Sequence, residues 1–153
     1  MIQRITVFLL LNFGTLGLGQ WLMGEGPSST WYQTLVRAPW TPPGWVFGAA
    51  WTTIMICFSV YMAKLWQRAV HKKGVAVLFG LQLILNVMWN PTFFRWHATY
   101  AALGILIALT SVVAVLLVGY RRTTGWFSMC LVPYLAWLMI ATSLNAFITQ
   151  NNV

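Results

Sequence analysis

Residues 40–51 read WTPPGWVFGAAW, and within them a polar connection becomes an apolar helix. Pro42 and Pro43 have no backbone N–H and a fixed φ, so they suit the entry into a first helical turn. Trp45 is at the position of an interfacial indole, with its ring in hydrocarbon and its N–H towards water. Trp51 lies about two turns further along, roughly 10 Å deeper at the rise of an α-helix. The stretch predicts a rigid aromatic wall at the mouth of a helix bundle, and we expect a ligand site there.

The composition indicates a membrane protein. Of 153 residues, 59% are hydrophobic and 7% are charged, whereas a soluble domain carries about 25% charged residues. Nine Lys and Arg stand against a single acid, Glu25, for a net charge of +8. In a soluble protein this excess would indicate nucleic acid as a partner, but here the basic residues cluster between apolar spans. We therefore expect the lipid bilayer, and no nucleic acid, around a single transmembrane domain over residues 1–153.

Five apolar segments are long enough to cross a hydrocarbon core of about 30 Å as helices of about 20 residues. No signal-peptide cleavage pattern follows the first segment, so we interpret it as a retained helix. The fold class predicted is all-α, an integral membrane bundle of five transmembrane helices. The predicted spans are residues 5–23, 44–65, 74–94, 98–119 and 125–147.

The basic residues predict the orientation of the bundle. The N-terminus and the second and fourth connections carry seven Lys or Arg, and the opposite side carries Arg37 and Arg95. The positive-inside rule then places the N-terminus in the cytoplasm, with the C-terminus and the first connection on the opposite side.

That first connection, residues 24–43, contains glycines and serines followed by the aromatic residues Trp31, Tyr32 and Trp40. We call it the lid segment. Two interpretations are open: a lid folded back over the bundle, or an interfacial anchor formed by the indole and phenol rings. One loop can do both.

Two polar stripes lie on the predicted third and fifth spans. Asn86, Trp89 and Asn90 share one helical face by their i, i+3, i+4 spacing, either as part of a pocket wall or as contacts between helices. Pro91 is expected to free the carbonyl of Val87 near the helix end, and Pro133 that of Met129. On the fifth span a large indole, a small side chain and an amide recur at i, i+4 and i+8, which suits a pocket wall or tight helix packing. These residues are Trp137, Ala141 and Asn145.

Three segments carry a resemblance to a known family: WYQTLVRAPWTPPGWVFGAAW (31–51), LILNVMWNPTFF (83–94) and PYLAWLMIATSLN (133–145). With ten tryptophans and five spans, the chain resembles a bacterial member of the translocator protein family, also called the tryptophan-rich sensory protein or peripheral-type benzodiazepine receptor family. The resemblance implies a five-helix bundle with a ligand cavity closed by the first connection. It implies binding of porphyrins, of synthetic benzodiazepine-site ligands and, in animal members, of sterols, and it implies dimers.

By position, the resemblance implies a ligand site with Tyr32 and Pro42 at the lid. It implies that Trp51 and Trp137 are the tryptophan pair of porphyrin photochemistry in this family. The animal sterol motif needs a tyrosine and then a basic residue after the fifth span, and residues 141–153, ATSLNAFITQNNV, have neither. High-affinity sterol binding is therefore not expected. The cavity wall that the resemblance implies consists of Trp51, Asn86, Trp89, Trp137, Ala141 and Asn145.

The residue types limit the chemistry. One acid excludes paired-carboxylate catalysis, and two His and two Cys, widely separated, predict no metal site. His97 is interpreted as a surface or capping residue in preference to a haem ligand.

The leading hypothesis is a membrane sensor that binds tetrapyrroles such as protoporphyrin, without an obligatory cofactor, and regulates tetrapyrrole or stress responses. The alternatives are a porphyrin transporter, and a light-dependent porphyrin-degrading enzyme that uses Trp51 and Trp137. A homodimer is predicted from the small-residue pairs Ala76 with Gly80 and Ala98 with Ala102.

Overall fold

The computed structural model describes residues 1–152. Within them, five helices are long and apolar enough to cross a membrane, and no strand occurs. The predicted all-α five-helix fold is therefore confirmed, and the protein is an integral membrane protein. The helices are α1 (Ile2–Leu22), α2 (Gly44–Arg68), α3 (Lys72–Asn90), α4 (Thr99–Gly119) and α5 (Val132–Asn151).

The five helices close into a ring. Helix α1 packs against α2 and α3, α3 against α4, α4 against α5, and α5 against α2. The core between them is lined by large side chains without solvent exposure, such as Phe58, Met62 and Leu138. Every helix therefore has two principal neighbours and faces a shared interior. Many large apolar side chains remain exposed on the outside of the bundle, which is the kind of surface that lipid covers.

Buried polar side chains join the helices across this core. Asn12 donates its Nδ2 hydrogen to Ser59 Oγ at 2.8 Å, between α1 and α2. The Tyr134 hydroxyl of α5 accepts hydrogen bonds from Gln82 Nε2 at 2.7 Å and Asn86 Nδ2 at 2.8 Å, both on α3. In a lipid environment such bonds add to the packing of the helices.

The third predicted span ends differently from expectation. Its α-helix stops at Asn90, and a π-helix follows over Pro91–Arg95. Pro91 has no N–H to continue the α-helical ladder, and the Trp96 N–H donates to the Pro91 carbonyl, five residues back, at 2.9 Å. Thr92 Oγ1 donates to the Met88 carbonyl at 2.7 Å. The wider turn brings Phe93 and Phe94 towards the lid segment.

The fifth predicted span, 125–147, lies within the apolar helical segment Arg121–Asn151, but its first residues are not α-helical. Residues Gly125–Leu131 form a 3₁₀-helix, and the α-helix begins only at Val132. Pro133 therefore lies in the first turn of α5, where its missing N–H has no intrahelical partner to lose. The expectation that Pro133 leaves the Met129 carbonyl free is wrong, because this carbonyl accepts from the Val132 N–H.

Candidate functional site

A cavity of about 380 Å³ lies between α1, α2, α3 and the lid segment. Most of its wall is apolar or aromatic, with a few amides and one guanidinium. We call it the lid cavity. It is lined by Leu16, Gln20, Met23, Pro27, Tyr32, Gln33, Arg37, Thr41, Pro42, Gly44, Phe47, Gly48, Trp51, Trp89, Asn90 and Phe94.

The proline pair forms the rim of the lid cavity on the side of α2. Pro43 is the N-cap of α2, in an extended conformation with φ −57° and ψ 150°, and the helix begins at Gly44. Phe47 and Trp51 follow at i, i+4 spacing, so both rings lie on the same face of the first turns. Both line the cavity. The predicted aromatic wall at the mouth of the bundle is thus present.

Local hydrogen bonds order the lid segment. Ser29 Oγ accepts from the Tyr32 N–H at 3.2 Å and caps a short helix, Thr30–Thr34. Gln33 Nε2 donates to the Pro27 carbonyl at 2.8 Å. Gly26 has φ +54°, a conformation that suits glycine. The capped helix carries the Tyr32 ring to the lid cavity.

The lid segment is fastened to the bundle on two sides. Towards the end of α3, the Trp31 ring stacks on His97, with centroids 4.0 Å apart, and meets the Phe93 ring edge at 5.6 Å. His97 is exposed and serves as this stacking partner. Towards α5, Trp40 Nε1 donates to Ser143 Oγ at 3.1 Å. The lid segment thus lies over the cavity and is held both by the segment that follows α3 and by α5.

Asn152 adds a two-bond contact to the lid segment. The Val36 N–H donates to Asn152 Oδ1 at 2.8 Å, and Asn152 Nδ2 donates to the Val36 carbonyl at 3.0 Å. One side chain at the end of α5 thereby pairs both backbone groups of a lid residue, as a neighbouring strand would.

Arg37 is the charged residue of the lid cavity. Its guanidinium carbon lies over the Tyr32 ring, 5.6 Å from the centroid, within the range of a cation–π contact. Burial raises the pKa of the Tyr32 hydroxyl above its usual value, and the neighbouring Arg37 opposes that shift. Tyr32 therefore stays neutral at physiological pH and keeps its hydrogen-bond donor, beside a positive charge at the cavity rim.

A second, smaller pocket of about 40 Å³ adjoins the lid cavity on the side of α5. We call it the side pocket. The two share four aromatic rings, those of Tyr32, Phe47, Trp89 and Phe94. The remaining residues that line the side pocket are Phe93, Ala141, Leu144, Asn145 and Ile148.

Six of the eight sequence-predicted site residues lie at these two spaces. Pro42 and Trp51 line the lid cavity, Ala141 and Asn145 line the side pocket, and Tyr32 and Trp89 line both. Asn86 and Trp137 line neither.

Asn86 and Trp137 contact other side chains of the bundle instead of lining either space. Asn86 donates to the Tyr134 hydroxyl and is 6% exposed, so it connects two helices. Trp137, also 6% exposed, meets the Phe47 ring edge-on with centroids 5.1 Å apart. Trp137 thus contacts Phe47, a residue of the cavity wall, without lining the cavity, whereas Trp51 lines the cavity and meets Tyr134 edge-on at 6.0 Å.

The sequence did not point to the α1 wall of the cavity, formed by Leu16, Gln20 and Met23. Gly19 could have indicated this wall, because a glycine in a membrane helix often marks a close approach of another helix. A Cβ added there would lie 2.6 Å from Asn90 Nδ2, so the glycine lets α1 approach α3 at the level of the cavity. The spaces around Gly14 and Gly17 are open.

Comparison with known proteins identifies the family. The TspO/MBR family profile matches residues 6–150. The chain is 35% identical over 130 residues to the tryptophan-rich protein TspO of Chlorobaculum tepidum, covering 82% of each chain. It is 33% identical over 116 residues to the tryptophan-rich sensory protein of Cereibacter sphaeroides, covering 75% of this chain and 72% of the relative. It is 32% identical over 133 residues to the human translocator protein, covering 84% of this chain and 78% of the relative. This five-helix membrane protein with its aromatic cavity therefore belongs to the TspO/MBR family.

Proposed function

We propose that the protein is a membrane receptor that senses tetrapyrroles, binding a porphyrin in the lid cavity. The observation that carries the proposal is the combination of flat aromatic walls with one cation at the rim. Its volume of about 380 Å³ is in the range of ligand pockets. The relative in Cereibacter sphaeroides is named a sensory protein, which fits a receptor role for this chain.

The aromatic walls suit a macrocycle. Trp51 and Phe47 on α2 face the cavity together with Trp89 on α3 and Tyr32 in the lid segment. A flat conjugated ligand packs favourably against such rings and gains from the apolar area that it buries. The binding energy would come mainly from this contact.

The rim suits the propionate groups. Arg37 lines the cavity from the lid segment, and a guanidinium binds a carboxylate through two parallel hydrogen bonds. The neutral Tyr32 hydroxyl is a second donor nearby. A porphyrin with both carboxylates on one edge would enter with that edge towards Arg37 and water.

The two alternatives predict different behaviour. A transporter would give porphyrin flux across proteoliposomes. A light-dependent degrading enzyme would convert many equivalents per protein. The degradation hypothesis needs both Trp51 and Trp137 beside the ligand, and of these two only Trp51 lines the lid cavity. The receptor is therefore the proposal that the geometry favours.

The test is a titration of the purified protein in nanodiscs with protoporphyrin, in the dark, with tryptophan fluorescence as the readout. We expect saturable quenching at one equivalent, and about tenfold weaker binding for Trp51→Ala, because a stacking partner is lost. Trp126→Ala is the matched control, since that indole is 89% exposed and lies outside the cavity. Equal affinity of wild type and Trp51→Ala would contradict the proposal.

The same samples are then illuminated and assayed for multiple-turnover product. Absence of turnover together with dark binding supports the receptor over the enzyme. Facilitated flux in proteoliposomes would support the transporter.

A further inference from the structure

Two buried polar atoms of the side pocket have no hydrogen-bond partner within residues 1–152. They are Nε1 of Trp89 and Oδ1 of Asn145. Trp89 comes from α3 and Asn145 from α5, and both side chains line the pocket. The other residues that line it are apolar or aromatic, so its polar chemistry rests on these two groups and the Tyr32 hydroxyl.

The two atoms are chemically complementary. An indole nitrogen is a donor only. Asn145 Nδ2 donates to the Thr99 carbonyl at 3.2 Å, which fixes the orientation of the amide and leaves its oxygen as the free atom. Two residues that line the side pocket therefore carry one unpaired donor and one unpaired acceptor.

Leaving both atoms unpaired is unfavourable. Asn145 is 2% exposed, and a buried polar group without a partner costs about 1–3 kcal/mol in proteins. A volume of about 40 Å³ exceeds the roughly 10–15 Å³ that a water needs. A hydroxyl or the end of a primary amide also fits such a space.

We propose that the side pocket recognises a neutral hydroxyl or primary amide on the ligand edge opposite the carboxylates. The group accepts a hydrogen bond from Trp89 Nε1 and donates one to Asn145 Oδ1. This inference rests on the proposed tetrapyrrole binding and adds a specificity site to it. The side pocket shares four rings with the lid cavity, so one ligand can contact both.

A carboxylate does not fit the side pocket. None of its lining residues is basic, and a carboxylate oxygen would face the carbonyl oxygen of Asn145, two acceptors without a proton between them. Arg37 lines only the lid cavity. The ligand is thereby oriented, with its anionic edge at Arg37 and its neutral polar edge at Asn145.

The test compares two porphyrins with the same two propionates. Haematoporphyrin carries 1-hydroxyethyl groups on the opposite edge, and mesoporphyrin carries ethyl groups there. We expect wild-type protein to bind haematoporphyrin about tenfold more tightly, as two buried hydrogen bonds allow. The O-methylated ether of haematoporphyrin, which accepts but cannot donate, should lose most of this preference.

Variants assign the preference to the pocket. Trp89→Phe keeps a ring to stack on Phe93 and removes the donor, and Asn145→Leu removes the acceptor. Each should lower the ratio of haematoporphyrin affinity to mesoporphyrin affinity towards one, and an unchanged circular dichroism spectrum verifies that the variant is folded. Trp126→Phe and Asn151→Leu are matched controls at exposed positions, and their ratio should equal that of wild type.

Three outcomes would overturn the inference. Equal affinities of wild type for haematoporphyrin and mesoporphyrin would leave the tetrapyrrole receptor standing and remove the side pocket from it. A preference that persists in both variants would do the same. Failure of both porphyrins to bind would overturn the proposed function itself, and the specificity site with it.

Discussion

Arg37 gives the most direct prediction at the scale of single residues. It is exposed, so its ion pair with a ligand carboxylate is partly screened and worth about 0.2–1 kcal/mol. We predict that Arg37→Gln weakens mesoporphyrin binding about two- to fivefold at low salt and less at high salt. The measurement is the dissociation constant in nanodiscs at two ionic strengths.

Arg95→Gln is the matched control for Arg37→Gln. Arg95 is exposed and follows α3 on the side of the lid segment, but it does not line the cavity. Its substitution should leave the affinity unchanged. The dimethyl ester of mesoporphyrin, which has no carboxylate, should not distinguish wild type from Arg37→Gln. A loss of affinity for the ester as well would mean that Arg37 acts by shaping the lid.

Single residues also show where sequence reasoning stops. A helical stripe identifies neighbours, and Asn86, Trp89 and Asn90 do lie on adjoining parts of α3. The stripe is wide enough to face both a cavity and another helix. Asn86 lies one turn deeper than Trp89 and Asn90, and there it meets the Tyr134 hydroxyl. Whether a given amide on α3 lines the cavity or bonds to another helix depends on its partners in α5. The local sequence pattern of α3 does not specify those partners.

At the scale of helix pairs, Tyr134 joins α5 to α3. Its hydroxyl accepts from two amides, so Tyr134→Phe leaves the donors of Gln82 and Asn86 buried without a partner. We predict a loss of about 1–3 kcal/mol in the free energy of unfolding, measured by thermal or denaturant unfolding in detergent.

Tyr100→Phe is the control for the Tyr134 substitution, because Tyr100 is 68% exposed. Its stability should equal that of wild type. If Tyr134→Phe were equally stable, the hydroxyl would contribute nothing to joining the two helices, and water or a rearranged amide pair would have replaced it.

Asn152 makes one of the two hydrogen-bonded contacts between the lid segment and the α5 end of the chain. Its side chain pairs both backbone groups of Val36. We predict that Asn152→Ala speeds hydrogen exchange around residues 34–38 and raises the dissociation rate of bound porphyrin several-fold, since a lid governs escape more than encounter. The measurements are exchange by mass spectrometry and stopped-flow dissociation.

Asn151→Ala is the control for Asn152. The Asn151 side chain bonds within its own helix, to the Phe147 carbonyl, and its loss should leave both rates unchanged. Ligand should also slow exchange in residues 28–38, because Tyr32 contacts the cavity. Identical exchange with and without saturating porphyrin would make the segment a static anchor.

Prolines explain why helix ends were harder to predict than helix positions. Each span was found from its run of apolar residues, which reports burial in lipid and not backbone conformation. Pro91 follows the last α-helical residue and begins a π-helix, whereas Pro133 lies inside a first turn. Proline thus ends the α-helix in one place and begins it in the other. Which of the two occurs depends on the backbone conformation of the neighbouring residues.

For the whole molecule, we propose that the N-terminus and the basic connections lie in the cytoplasm. Seven basic residues lie at the end of the bundle away from the lid segment. Some are held there: Lys64 Nζ lies 5.2 Å from the Phe127 ring centroid, and Arg68 Nη1 donates to the Thr123 carbonyl at 3.3 Å. A periplasmic reporter enzyme fused after residue 153 should be active, and the same reporter inserted near residue 70 inactive. The reverse result would invert the orientation.

The outer surface of α1 and α3 carries an apolar groove of about 460 Å³. Val7 and Leu11 line it from α1, and Ala76, Phe79 and Gly80 line it from α3. A Cβ on Gly80 would meet no atom within 4 Å, so this glycine is not required by packing inside the subunit. The groove is where we propose that a second copy of the chain packs, as the small-residue pair Ala76 and Gly80 predicts.

A leucine at Gly80 should therefore separate the subunits without disturbing the fold. The added side chain has room within the subunit but would occupy the groove and hold a second helix away. We predict that Gly80→Leu shifts the protein from dimer to monomer in detergent, measured by light scattering, with unchanged helix content. Gly104→Leu is the matched control, because Gly104 on α4 is equally open and does not line the groove. If Gly80→Leu retained the dimer mass, α3 would not be the contact. The predicted pair of Ala98 and Ala102 would not replace it, because Ala102 is fully buried within the subunit. Wild-type protein that is monomeric would overturn the dimer itself.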